Sequence, residues 1–130
     1  MKYGQLIVDK KEQGLLLRSI ANAHSIEDAS YAAYLKKLKL ELLTAKILES
    51  QKMPQDVIRF NSEITITTSG GSEQSFQIVI PEKSDITNRK ISILSPMALA
   101  LFGYAQGDIL EWVFPSGIKN IAIIDVRQPQ

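Results

Sequence analysis

At 130 residues, 45% hydrophobic and 22% charged, the chain is sized for one compact globular unit or a small domain with a helical appendage. It has no cysteine, which excludes a disulfide framework and a thiolate metal centre. A net charge of +1 gives no general electrostatic reason to wrap nucleic acid.

The opening residues, MKYGQLIVDKKEQ, hold an apolar run of only three before charge returns, too short for a signal segment or a membrane span. The expectation is a soluble, cytoplasmic protein with no membrane partner. Residues 1 to 53 carry nine Lys and Arg against six Asp and Glu, a local charge of +3, whereas the remainder holds six against eight, or −2. A solvated helical face accounts for these lysines better than a nucleic-acid patch, because no aromatic ladder is interleaved with them.

Helical patterning begins at Asp9, which with Glu12 three residues later forms a capping-box pattern. Leu15, Leu16 and Ile20 share an apolar stripe, and this first helix is expected to stop between Ala21 and His24. A second start follows, with Ser25 as cap and Asp28 at the positive end of the helix dipole. From there no Pro or Gly interrupts the chain to Glu49, so some 24 helical residues would reach ~36 Å. Tyr31, Leu35, Leu38, Leu42 and Ala45 follow the three-and-four spacing of a coiled-coil seam, and Leu40, Leu43 and Ile47 make a second stripe. Two stripes imply two contacts, one with the first helix and one with the following domain or another chain. Residues 1–52 are therefore expected to form an antiparallel helical hairpin, a short coiled coil, with AHSIED at its tip.

After Met53-Pro54 the period changes to two. The runs DVIRF, EITITT, SFQIVI, KISIL, DILEWVF and IKNIAIIDV are short and rich in Ile, Val and Phe, and turn chemistry separates them. Between the fourth and fifth runs, Ser95 can cap a helix, Pro96 suits its first position and Gly103 can end it. Met97, Leu99, Ala100, Leu101 and Phe102 make that helix apolar almost all round, so it must be wrapped. An antiparallel sheet of about five strands curled around one helix does so, giving an α+β fold with residues 53–130 as its second domain. Trp112 alternates with Leu110 and Phe114 and packs on one sheet face; on the outer face it would be an interface anchor. Gly107-Asp108 and Pro115-Ser116-Gly117 read as turn chemistry.

The block ISILSPMALALFGYAQGDILEWVFPSG, followed by the strand IAIIDV, resembles the C-terminal domain of the Gre-type bacterial transcription elongation factors. MPQDVIRFNSEITI looks like the family's lead into the same domain. Because only about fifty residues precede that Met-Pro, the chain is most similar to the family's short member known as the regulator of nucleoside diphosphate kinase. The resemblance implies a domain of the FK506-binding-protein type, docked on RNA polymerase at the rim of its secondary channel, with the hairpin pointing toward the channel. It also implies that Ser92, Ser95 and Pro96 face polymerase, with Leu94 standing where cleavage factors are often acidic. Ser95 and Pro96 are equally sufficient as a helix start, so either role is open at this point.

In the cleavage factors a pair of acidic residues at the hairpin tip helps to hold a magnesium ion, a task that suits carboxylates because magnesium is a hard cation. Here the candidates are Glu27 and Asp28. They are adjacent rather than three apart, and neighbouring helical side chains diverge by about 100°. A negatively charged helix N-terminus explains them more simply, and stimulation of transcript cleavage is not expected. His24, alone and without Cys, makes no zinc site.

No nucleophile with a base, phosphate loop or metal cluster is recognisable, so a non-enzyme without cofactor or small-molecule substrate is expected, touching nucleic acid only through polymerase. Two competing readings stand beside it. One is a peptidyl-prolyl isomerase of the FK506-binding type, which four Phe, four Tyr and one Trp spread over the chain make hard to furnish with an aromatic pocket. The other is a module that self-associates through the second stripe of the long helix.

Overall fold

The computed structural model describes residues 1–21, 29–69, 71–114 and 117–129. Strand β1 (Ile7–Asp9) runs directly into α1 (Lys10–Ala21); then come α2 (Ala29–Leu42) and strand β2 (Lys46–Leu48), which pairs in parallel with β1 through Ile7 and Lys46, Val8 and Ile47, and Asp9 and Leu48. Strands β3 (Glu63–Thr68), β4 (Glu73–Val79), β5 (Lys90–Ser92), β6 (Ile109–Phe114) and β7 (Gly117–Arg127) form a second sheet in the order β5-β4-β3-β7-β6, with helix α3 (Pro96–Leu101) between β5 and β6.

This sheet is mixed rather than antiparallel, because β5 runs parallel to β4. The ten residues between them contain two short 3₁₀ turns, Pro81–Lys83 and Ile86–Asn88, and bring the chain back far enough for Lys90 to start β5 opposite Gln77, alongside the last three residues of β4. Ile124 is an extra residue in β7, where the pairing with β3 shifts between Thr65 and Ile66. Such a bulge bends its strand and strengthens the local twist, helping the sheet to curl over α3. The wrapping expected from the all-round apolar helix is present: Ala98, Leu99, Leu101 and Phe102 share one buried cluster with Ile64, Ile66, Ile78, Ile121 and Ile123, and Ala100 is buried as well.

Gly103 follows α3 at φ +84°, where a Cβ would stand 3.0 Å from Leu6 Cδ2. The helix therefore ends there in the left-handed conformation that glycine adopts without steric penalty.

One expectation is corrected in the first half. The long helix does not reach Glu49: it ends at Leu42, where Leu43, Thr44 and Ala45 donate to carbonyls three residues back, and Lys46 N–H then bonds the Leu6 carbonyl at 2.8 Å. The buried run Leu6-Ile7-Val8 offers a strand edge, and pairing with it overrides the helical propensity of the segment after Leu42. The seam residues meet both the first helix and the following domain. Leu35, Leu38, Leu42 and Ala45 join one cluster with Leu16 and Ile20 of α1, the sheet residues and α3, against which α2 packs. The proposed tip, including His24, Ser25, Glu27 and Asp28, lies outside the described residues.

DVIRF is not a strand of the main sheet. Val57 forms an isolated bridge with Ala105, and Asn61 at φ 70° turns the chain, its N–H bonding the Ile78 carbonyl. Ile58 donates to Tyr104 and accepts from Gly103, so this segment braces the exit of α3 instead. Among the described residues, no helix is long and apolar enough to cross a membrane.

Candidate functional site

The corner between β5 and α3 brings Ser92, Ser95 and Pro96 together. Ser92 Oγ accepts the Leu94 N–H at 3.0 Å, and its carbonyl accepts the Ser95 N–H at 2.9 Å, closing a tight turn around buried Ile93. Ser95 is the N-cap, its Oγ accepting from Ala98 N–H at 3.4 Å and its carbonyl from Leu99 N–H at 3.0 Å. Pro96 follows at the first helical position, where its missing N–H costs nothing, and its ring is exposed. Both hydroxyls thus hold the backbone of the corner, and the group it presents outward is Pro96.

Half-buried Leu94 opens beside this corner onto a cleft of about 370 Å³, walled by Leu15, Arg18 and Ser19 of α1 and by Pro81 and Glu82 of the β4–β5 connection. Sequence reasoning missed this wall. No local signal in α1 says that it stands beside a turn some eighty residues away.

What fixes α1 in that place is an ionic cluster. Asp9, only 1% exposed, caps α1 by accepting the Lys11 N–H at 2.7 Å, accepts Ser50 Oγ–H at 2.9 Å and pairs with the Arg59 guanidinium. Glu12 does not reach back to close the capping box. It pairs with Arg59 at 3.0 Å and accepts the Phe60 N–H at 3.3 Å. Burial raises the Glu12 carboxyl above its ordinary range despite the opposing pull of Arg59. A carboxyl raised by folding contributes stability below its unfolded pKa, and that contribution is lost as pH rises through the folded value. Glu12→Gln, which keeps an acceptor for Phe60, is therefore expected to be within about 1 kcal/mol of the parent at neutral pH. Its stability relative to the parent should decline on acidification toward the ordinary carboxylate range, a trend checked by urea melts across pH; a gap that widens in the variant's favour would contradict it.

On the opposite side α2 is fastened to the sheet. The Tyr34 ring stacks on Trp112 at 4.3 Å with 9° between planes, and its hydroxyl accepts the Val113 N–H at 3.1 Å. Trp112 therefore faces α2 and the core rather than forming an outer anchor. Below it, Tyr104 donates to Glu41 at 2.7 Å, and Lys37 donates to both, at 2.7 Å to Tyr104 and 2.8 Å to Glu41. Burial first, then the Glu41 carboxylate, pushes the Tyr104 hydroxyl far above its usual range, so it stays a donor at any physiological pH. Asp108, buried, accepts the Ala105 N–H at 2.9 Å and the Lys2 N–H, the turn chemistry read from Gly107-Asp108. Among the described residues, no three His, Cys, Asp or Glu are placed to share a metal ion.

A family model described as "Transcription elongation factor, GreA/GreB, C-term" matches residues 53–128, which include the whole Ser-Pro corner. The chain is 29% identical over 128 residues to the transcription elongation factor GreA of Rickettsia canadensis (strain McKiel), spanning 97% of this chain and 79% of that protein. It is 31% identical over 120 residues to GreA of Syntrophus aciditrophicus (strain SB), spanning 82% and 74%. Among solved structures, the prokaryotic transcription elongation factor GreA/GreB from Nitrosomonas europaea superposes with a TM-score of 0.74 at 26% identity, covering 95% of this chain and 98% of that one. A match over more than half the chain, relatives aligned along nearly all of it and a shared fold through both sheets agree: the chain belongs to the GreA/GreB family of transcription elongation factors.

Proposed function

We propose that this chain docks on RNA polymerase at the rim of its secondary channel through the Ser92–Ser95–Pro96 corner and modulates elongation without stimulating transcript cleavage. The observation that carries this reading is the fastening of α2 to the body of the protein, by Tyr34 on β6, by buried Leu38 and by Glu41 on Tyr104 after α3, which leaves little of the described helix free to project. α1, at 12 residues, adds about 18 Å. Such a stunted helical part fits the short regulator of nucleoside diphosphate kinase within the family. In this reading the protein is a cytoplasmic binding module, not an enzyme, needs no cofactor and touches nucleic acid only through polymerase. Residues 53–130 form its docking unit and residues 1–52 the part that leans over the channel.

The test is a pull-down with purified core polymerase, together with a cleavage assay on backtracked complexes. Wild-type protein should bind without shortening the transcript. Ser92→Ala with Pro96→Glu, which puts a charge on the exposed ring position but suits a helix start, should bind about tenfold or more weakly. Failure of the wild type to bind removes the reading, and shortened transcripts remove its second half.

One observation favours a second reading, self-association through α2. Leu40 of α2 and Leu43 just past its end are 56% and 80% exposed, on the second apolar stripe, the one suited to pairing between chains. Light scattering on Leu40→Lys beside wild type separates it from simple surface exposure. The isomerase reading is disfavoured by the aromatic packing: Phe60 meets Phe102 edge-on at 5.1 Å in the core, and Trp112 is covered by Tyr34.

A further inference from the structure

β6 is an edge of the five-stranded sheet, and Val113 N–H points away from β7, since it donates to Tyr34. Alternation along an antiparallel strand then turns the backbone groups of Ile109 and Glu111 to the same open side. Such a row is a template for strand addition, and natural proteins block it with charge or with a covering element. Both devices are present: Tyr34 occupies the Val113 N–H, and exposed Glu111 stands in the middle of the row.

We propose that α2 guards this edge, and that releasing Tyr34 opens β6 to strand addition by a second copy of this chain. The occupant follows from the strand's own symmetry. An antiparallel pairing of β6 with its copy about a two-fold at Glu111 places Ile109, 66% exposed, opposite the copy's Val113, 56% exposed, and does so twice. Two apolar cross-strand pairs favour that register. One pair of like charges, Glu111 against Glu111, opposes it. The guard is therefore double, a hydroxyl at one end of the row and a carboxylate at its centre. Helix and edge are coupled because the ring that carries the hydroxyl also stacks on Trp112.

The experiment uses the full chain as wild type, Tyr34→Phe, and Tyr34→Phe with Glu111→Thr, the conservative ring change keeping the stack. Mass by light scattering over a micromolar to millimolar series is combined with amide exchange at residues 111 and 113. The double variant is expected to double its mass with concentration and to slow exchange at both amides by at least about tenfold in the dimer, while wild type shows neither change. Tyr34→Met with Glu111→Thr, which gives up the stack as well, carries the same expectation if the first pair disturbs Trp112 fluorescence. The proposal is overturned if neither double variant associates, if the dimer leaves amide 111 unprotected, or if amide 111 of wild type already gains that protection as concentration rises. Association through the α2 leucines would give a dimer of the unprotected kind, so the two interfaces are distinguishable.

Discussion

Replacing Arg59 with methionine is expected to destabilise the protein by about 3–5 kcal/mol, because it leaves Asp9 buried and Glu12 half-buried without their shared cation. Loss of an ion pair at the surface would cost a fraction of this; what makes the difference is that Asp9 is 1% exposed and cannot recover water. Arg59→Lys should recover only part of the loss: one guanidinium nitrogen, Nη2, meets both Asp9 and Glu12, and the shorter lysine carries its ammonium short of that position. Neutralising all three positions, with Asp9→Asn and Glu12→Gln beside Arg59→Met, should restore most of it, because no charge is then left stranded. Denaturant melts of the three variants decide the matter. An Arg59→Met protein within 1 kcal/mol of wild type would mean that the cluster is solvated and does not hold α1 in place.

Phe102→Ala is expected to cost about 3–5 kcal/mol, the range for deleting a buried aromatic from a core that collapses only partly. Phe102 is 1% exposed and contacts the ring of Phe60, so truncation leaves a void and removes an edge-to-face pair at once. Its cluster includes Leu16, Ile20 and Leu38 from the first half of the chain, so the loss should be felt throughout. Circular dichroism, which reports the helices, and Trp112 fluorescence, which reports the β6 contact with α2, should shift to lower denaturant together in one transition. Two separated transitions would show that the helical part and the sheet unfold independently.

How much of this was legible in the sequence depends on how local the determining chemistry is. α3 was readable to its ends because Ser95, Pro96 and Gly103 are start and stop signals that act within a few residues. β6 and β7 were readable because alternation of buried and exposed residues is itself a local pattern. The segment Lys46–Leu48 was misread as helix because its own residues favour one, whereas its partner, Ile7–Asp9, lies some forty positions earlier. The direction of β5 was hidden for a different reason: alternation states which face a side chain takes but not which way the strand runs. At the candidate site, Ser92, Ser95 and Pro96 came from the motif itself. The wall formed by Leu15 and Arg18 did not, since Arg59, the residue that sets α1 there through Asp9, is 50 positions from its partner.

The side-by-side start and finish of the first unit, β1 and β2, has an evolutionary corollary. Because the two ends of the helical stretch are clipped together, extra turns can be added or removed between them with little disturbance to anything downstream, the entropic penalty growing by only about 0.6 kcal/mol per doubling of a flexible loop. Reach and seat are in this way separable traits, and lineages can tune how far such a factor extends without rebuilding the platform on which it rests.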